Sequence, residues 1–263
     1  MPLKSQPIIV DSIAISEKLS QQPIISEKRT RIIEEEQEEK VKKPEITRLV
    51  YGPPAELKVI SGDNQSGEVH TQLPEPIIIE VRDLNGNLLE NETVVFTAEN
   101  GAGMFLNNNR LQKILTDEEG RVKTQFTLGK TAGEKTIHIS VDGSDSRGVK
   151  LLTIAKPTPP TKMIELKGNF QTGELGKRLS HPFTVAIRDK YDNPIPMFEV
   201  EFSLKKGSGR FQDSQNSHLL AHTNEDGLAQ VYFIIGNERG AREVEAEAKK
   251  VEPSKITFEA FAV

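Results

Sequence analysis

Two stretches decide how this chain folds: Ile77-Ile78-Ile79-Glu80-Val81-Arg82-Asp83 and, 106 residues later, Phe183-Thr184-Val185-Ala186-Ile187-Arg188-Asp189. In each, apolar side chains alternate (Ile77, Ile79, Val81; Phe183, Val185, Ile187) and the run closes on Arg-Asp. Successive side chains of an extended strand point to opposite faces, so a period of two sets one face in a core and the other in water.

Outward from these strands the same order of residues recurs. Gln65-Ser66-Gly67-Glu68 returns as Gln171-Thr172-Gly173-Glu174, Pro76 as Pro182, and Gly86-Asn87 as Asp192-Asn193. Val94-Val95-Phe96 falls on Val200-Glu201-Phe202, and Gly101-Ala102-Gly103-Met104-Phe105 on Gly207-Ser208-Gly209-Arg210-Phe211. Past a one-residue insertion, Thr116-Asp117-Glu118-Glu119-Gly120 falls on Thr223-Asn224-Glu225-Asp226-Gly227, and Gly133 on Gly240. The period lies far beyond the ~20–50 residues of solenoid repeats. The chain contains a duplicated domain.

Each copy reads as short strands. Val94, Phe96, Ala98; Val122, Thr124, Phe126, Leu128; and Ile137, Ile139, Val141 alternate in the first. Val200, Phe202, Leu204; Ala229, Val231, Phe233, Ile235; and Val244, Ala246, Ala248 do so in the second. The turns between carry Asn-Gly, Asp-Asn, Gly-x-Gly and Asp-Gly, which tolerate positive φ or close tight connections. The gaps are too short for the crossover helices of a parallel sheet. The pattern predicts an all-β protein of two tandem immunoglobulin-like β-sandwiches, with Phe96, Phe126, Phe202 and Phe233 in the cores.

The expected organisation is a polar arm over residues 1–52, a first sandwich over 53–156, a linker over 157–161 and a second sandwich over 162–263. Lys156-Pro157-Thr158-Pro159-Pro160-Thr161 favours stiff polyproline II, so the domains are expected to stack end to end. In the arm, Gln6-Pro7-Ile8-Ile9 recurs as Gln22-Pro23-Ile24-Ile25, and a charged run from Arg29 to Lys43 places Glu36 four before Lys40 and Glu38 four before Lys42. Such pairs suit a short helix, so the arm is expected to be extended or partly helical. Two readings stay open. One is a disordered leader; the other is a docking arm whose Pro7, Ile8, Ile9 and Pro23, Ile24, Ile25 add strands to a partner's sheet edge.

Composition narrows the chemistry. Hydrophobic residues make up 35% and charged residues 28%, a balance suited to small sandwiches with much solvated surface. There is no Trp to centre a core, and no Cys for disulfides, thiolate metal sites or a cysteine nucleophile. A formal charge of −5 gives no basic footprint for nucleic acid. Nothing approaches the ~20 consecutive apolar residues of a membrane helix, so no membrane insertion is expected. Asp11, Glu17 and Lys18 interrupt the stretch where a signal core would lie. Either a signal has been removed or export does not follow that route.

The assembled motifs resemble the bacterial immunoglobulin-like group 1 domain of the invasin and intimin type. Three parts carry the resemblance in each copy: Asp83 to Phe96 and Asp189 to Phe202, with a turn containing Asn between strands; the Gly-x-Gly-x-Phe corner; and Thr116 to Gly133, with Thr223 to Gly240. Asn224 stands where the family usually has Asp and keeps the capping oxygen. The resemblance covers about residues 53–263 and leaves the arm outside. It implies a stalk or spacer that holds a binding surface away from a bacterium, or adheres directly. The β-barrel and lectin-like cap of longer family members are not in this sequence, which leaves open a fragment or a smaller soluble or particle-bound protein.

Candidate sites weigh little against structural readings. Asp83-Leu84-Asn85-Gly86-Asn87 looks like the start of a calcium loop, but the later bidentate Glu is out of register and a turn needs the same residues. Asp142 to Gly148 reads as a flexible polar loop. His218 and His222 lie in a strand-and-loop pattern and need not share a face, so no metal site is expected. No nucleophile elbow, phosphate loop or helix-borne carboxylate pair appears; neither an enzyme nor a cofactor is expected. Prolines such as Pro74, Pro76 and Pro182 guard strand edges that otherwise invite strand addition. Asn107, Asn108, Asn109 and Arg110, and the equivalent Gln212 to Ser217, are the loop candidates for partner contact. The leading expectation is a structural and interaction protein with a protein or surface glycan partner. The runner-up is an accessory subunit of a phage or contractile injection particle, anchored by the arm. Localisation follows from that choice: cell surface in the first case, a particle component made in the cytoplasm in the second.

Overall fold

The computed structural model describes residues 50–144 and 148–263. The arm motifs at Pro7-Ile8-Ile9 and Pro23-Ile24-Ile25 lie outside the described residues. Among the described residues all regular structure is strand.

The first copy contains β1 (Pro54–Ser61), β2 (Gln65–Glu68), β3 (Ile77–Asp83), β4 (Thr93–Ala98), β5 (Gly103–Phe105), β6 (Leu111–Leu115), β7 (Arg121–Thr124), β8 (Phe126–Leu128), β9 (Gly133–Val141) and β10 (Val149–Lys156). The second repeats it as β11 (Pro160–Lys167), β12 (Gln171–Gly173), β13 (Phe183–Asp189), β14 (Glu199–Lys206), β15 (Gly209–Phe211), β16 (His218–His222), β17 (Leu228–Val231), β18 (Phe233–Ile235), β19 (Gly240–Glu247) and β20 (Lys255–Ala262). In each, a three-stranded sheet (β1-β3-β7; β11-β13-β17) faces a five-stranded one (β2-β10-β9-β4-β6; β12-β20-β19-β14-β16), and a short pair (β5-β8; β15-β18) sits beside them. Pairing is antiparallel except where β2 joins β10 and β12 joins β20 in parallel.

The period-two patterns become buried rows. Ile77, Ile79, Val81, Val94, Phe96, Ile137 and Ile139 meet in one core; Phe183, Val185, Ile187, Val200, Phe202, Val244 and Ala246 meet in the other. Phe96, Phe126, Phe202 and Phe233 are all buried, as their alternation predicted. Phe105 and Phe211, from the Gly-x-Gly-x-Phe corner, join them: Phe105 lies 5.0 Å from Phe126, and Phe211 lies 5.4 Å from Phe233.

Two sequence expectations need adjusting. The run Val122 to Leu128, read as one strand, is two: it pairs with β3 up to Thr124 and with β5 from Phe126. Gln125 marks the switch between sheets, and Tyr232 marks the same switch in the second copy. The alternation survives because the chain changes partners without changing which side faces inward. The proline linker is also shorter than its sequence span, since Pro160 already pairs with Asp189. Gly52-Pro53-Pro54 stands to the first copy as Thr158-Pro159-Pro160 stands to the second. The prolines therefore belong to the entry of each module.

The corner depends on glycine. Gly103 has φ of 149°, and a Cβ there would meet the Thr127 carbonyl oxygen at 2.1 Å. Eleven equivalent positions pass through positive φ in both copies; five are glycine in both, and six carry another residue in at least one copy, at Asn64/Phe170, His70/Gly176, Gly86/Asp192, Asn91/Met197, Asn108/Gln215 and Gly143/Lys250. Asn and Gly tolerate this region; Phe and Met do so at a cost. Phe170 and Met197 are nevertheless exposed by 75% and 74%.

Candidate functional site at the junction of the sandwiches

The geometry begins with one carboxylate per copy. Asp83 ends β3, and its Oδ1 accepts from the backbone N–H groups of Asn85 and Asn87, both at 2.9 Å. Its Oδ2 accepts from Gly52 N and Asn87 Nδ2, again at 2.9 Å. Asp189 repeats this at the end of β13. Oδ1 accepts from Tyr191 N at 2.8 Å and Asn193 N at 2.9 Å. Oδ2 accepts from Thr158 N, Thr158 Oγ1 and Asn193 Nδ2 at 2.9–3.1 Å. Four or five donors thus converge on each carboxylate, which is the environment of a locked turn. The apparent calcium loop is this turn, its lead carboxylate already ringed by N–H groups.

These donors hold the charge. The Gly52 N–H, followed against burial by the Asn87 side chain and further backbone donors, brings the Asp83 carboxyl down to about 2. At Asp189 burial works upward, but the Asn193 side chain and the N–H groups of Asn193, Thr158 and Tyr191 outweigh it, and the net shift is downward.

In the second copy the turn also reaches across to the first. Buried Asn193 donates from Nδ2 to the Lys130 carbonyl oxygen at 2.8 Å, and its Oδ1 accepts from Ala132 N at 2.7 Å. Both ends of one amide side chain are satisfied by main-chain groups two residues apart. Such a bidentate contact fixes orientation as well as proximity. Tyr191 packs beside it against the first core, edge-on to His70 with ring centroids 5.7 Å apart. The ammonium groups of Lys130 and Lys190 approach the Tyr191 ring at 5.8 and 4.9 Å. Besides the linker, the two sandwiches are thus joined by a polar hook with an aromatic brace.

The loop candidates lie next to this junction. Asn107 folds its own turn, its Oδ1 accepting from Asn109 N at 3.1 Å and its Nδ2 donating to Leu111 O at 3.1 Å. Asn108, Asn109 and Arg110 line one wall of a cleft of about 680 Å³, with Met104 and Leu128 among its apolar lining and His70 and Lys130 among its polar lining. Asn107 does not line it. Gln215, Asn216 and Ser217 line the equivalent cleft of the second copy, with Gly236, Asn237 and Glu238.

Sequence reasoning missed two residues. Asn193 was legible only as a turn residue, because its inter-domain role depends on a loop more than sixty positions away. Arg242 carried a clearer signal: it occupies an inward position two before Val244. It is buried and gives its guanidinium to carbonyl oxygens of Ser208 at 2.6 Å, Gly240 and Ala241 at 3.1 Å, and to that of Glu238. The equivalent in the first copy is Lys135, which donates to Ala132 O at 3.2 Å.

Repeated sandwiches of immunoglobulin type, joined by a side-chain hook, define the class. No family model matches the sequence. Among solved structures, InvD of Yersinia pseudotuberculosis is similar with a TM-score of 0.51 and 15% identity, over 75% of this chain and 55% of that one. The Yersinia pseudotuberculosis adhesin InvE gives 0.36 and 16%, over 78% and 58%. The D0–D1 domain of intimin gives 0.31 and 19%, over 79% and 95%. The chain spans little more than half the length of InvD and InvE. The resemblance to invasin- and intimin-type modules drawn from the motifs is met at the level of the fold. No helix among the described residues is long and apolar enough to cross a membrane.

Proposed function

We propose that the protein is a non-enzymatic structural and interaction protein: two sandwiches held in fixed register so that they space or present a protein- or glycan-binding surface at a bacterial surface. The observation that carries this reading is the Asn193 hook. A flexible tether would need only the prolines, whereas a buried amide bonded to two main-chain groups of the neighbouring module serves to hold orientation. The polar loop at Asn108-Asn109-Arg110, beside the apolar cleft, is the contact surface this reading assigns.

The spacer role is tested by labelling Lys123→Cys and Lys249→Cys, the only thiols in a cysteine-free chain, and measuring the distance distribution between them. A narrow distribution that broadens in Asn193→Ala is expected; a broad one in the parent chain would sink the reading. Removing residues 1–50 separates the surface role from a particle accessory. Retained cell or glycan binding supports the former, and loss of particle incorporation supports the latter.

A further inference from the structure

The junction has two halves, and each recurs at an open pole. The hook half in the first copy is the Asp83 turn, where Asn87 stands as Asn193 does and also donates to its aspartate. Among the described residues, however, Asn87 Oδ1 accepts no hydrogen bond, while Asn193 Oδ1 takes Ala132 N. The seat half in the second copy is Asn237-Glu238-Arg239, equivalent to Lys130-Thr131-Ala132. Among the described residues the Asn237 carbonyl and the Arg239 N–H, which correspond to the two groups Asn193 grips, take no hydrogen bond. Arg242 holds this seat in shape by binding the Glu238 and Gly240 carbonyls from beneath.

The poles also differ in charge. Glu90, Glu92 and Glu118 line a cleft with Gly52 beside the Asp83 turn. The seat exposes Arg239, with Lys177 on the loop equivalent to the one that carries His70, beside two acids, Glu238 and Glu174. We propose that this protein associates head to tail with a second copy of itself, the Asn87 turn of one chain seating on the Asn237–Arg239 loop of the next. The contact would reproduce the internal junction, with Arg239 against the acidic rim supplying attraction in place of the Tyr191 brace, which the first copy lacks. The inference rests on the spacer reading, because it extends that junction from within a chain to between chains. A heterologous contact of this kind closes into a ring or continues as a fibre according to the rotation it imposes.

The test uses the full chain in two single-cysteine forms, Asn85→Cys and Asn237→Cys, oxidised separately and mixed. Asn85 corresponds to Tyr191 and Asn237 to Lys130, which are close neighbours in the internal junction. The mixture is expected to give a disulfide-linked dimer that neither form gives alone, and Arg239→Glu introduced into the Asn237→Cys form should abolish it. Sedimentation of the unsubstituted chain should show mass rising with concentration. Equal crosslinking in all three samples, or no crosslinking with a constant monomer mass, overturns the proposal. A monomer that still gives a narrow intramolecular distance distribution would leave the spacer reading standing and remove only this one.

Discussion

Asp83 and Asp189 contribute to the acid dependence of the fold, as do Glu80 and Glu245, whose carboxyls are shifted the same way. A carboxyl whose pKa falls on folding contributes stability that is fully present above its unfolded value and lost as pH drops through its folded value. For Asp83 that window runs from the ordinary 3.8 down to about 2, and Asp189 shifts the same way. Thermal unfolding should therefore be flat above pH ~5 and decline steadily toward pH ~2. A double Asp83→Asn, Asp189→Asn variant, less stable at neutral pH, should show a flatter acid limb; an unchanged limb would assign the acid sensitivity to other carboxylates. Phe170 makes a second prediction. Its left-handed backbone matches that of Asn64, yet it carries a large exposed ring. Left-handed φ costs a side chain of this kind about 1–2 kcal/mol, so Phe170→Asn should stabilise by about 1 kcal/mol and raise Tm by roughly 4–8 °C. A lower Tm would mean the ring has packing value that its exposure does not suggest.

At the scale of elements, the fold was legible wherever a local rule governs it. Alternation in Ile77–Val81 and Phe183–Ile187 gave the central strands because each has a wet and a dry side, and the buried phenylalanines followed from the same rule. The parallel pairing of β2 with β10 was illegible, since four residues, Gln65–Glu68, offer no alternation and their partner lies more than eighty positions on. The partner switch at Gln125 was hidden because the inward row runs through it unbroken. Asn193 was hidden for another reason: Asn87 has the same local sequence role and, among the described residues, no cross-module partner. The Gly-x-Gly corner was read as a motif, and its physics gives a prediction. Gly103→Ala would force a Cβ against the Thr127 carbonyl and the Phe126 ring, which should cost about 1–3 kcal/mol, whereas Gly133→Ala, with nothing within 4 Å of its Cβ but φ of 107°, reports backbone strain alone. Chemical denaturation of both separates the two effects; equal losses would show that the corner is set by backbone angle and not by the close approach.

For the whole molecule, the two cores draw on separate residues and meet at Asn193 and Tyr191. Cutting Asn193 to Ala removes the two hydrogen bonds that cross the junction, worth about 1 kcal/mol each, strands the Ala132 N–H, and also takes one donor from Asp189. Calorimetry of Asn193→Ala should show both sandwiches melting earlier, the second through the donor lost from Asp189 and the first through the stranded Ala132 N–H; an unaltered trace would demote the hook to a passive contact. The feature with the widest reach is what that hook grips. It binds a carbonyl and an N–H, groups every residue but proline supplies alike, and ignores the side chains of Lys130, Thr131 and Ala132. Mutational drift in the seat therefore leaves the two hydrogen bonds of the hook intact so long as proline stays out of position 132, while the brace alone feels a change at Lys130. A gene that duplicates such a module inherits a ready-made coupling, free to diverge in what each copy recognises before any new interface has evolved.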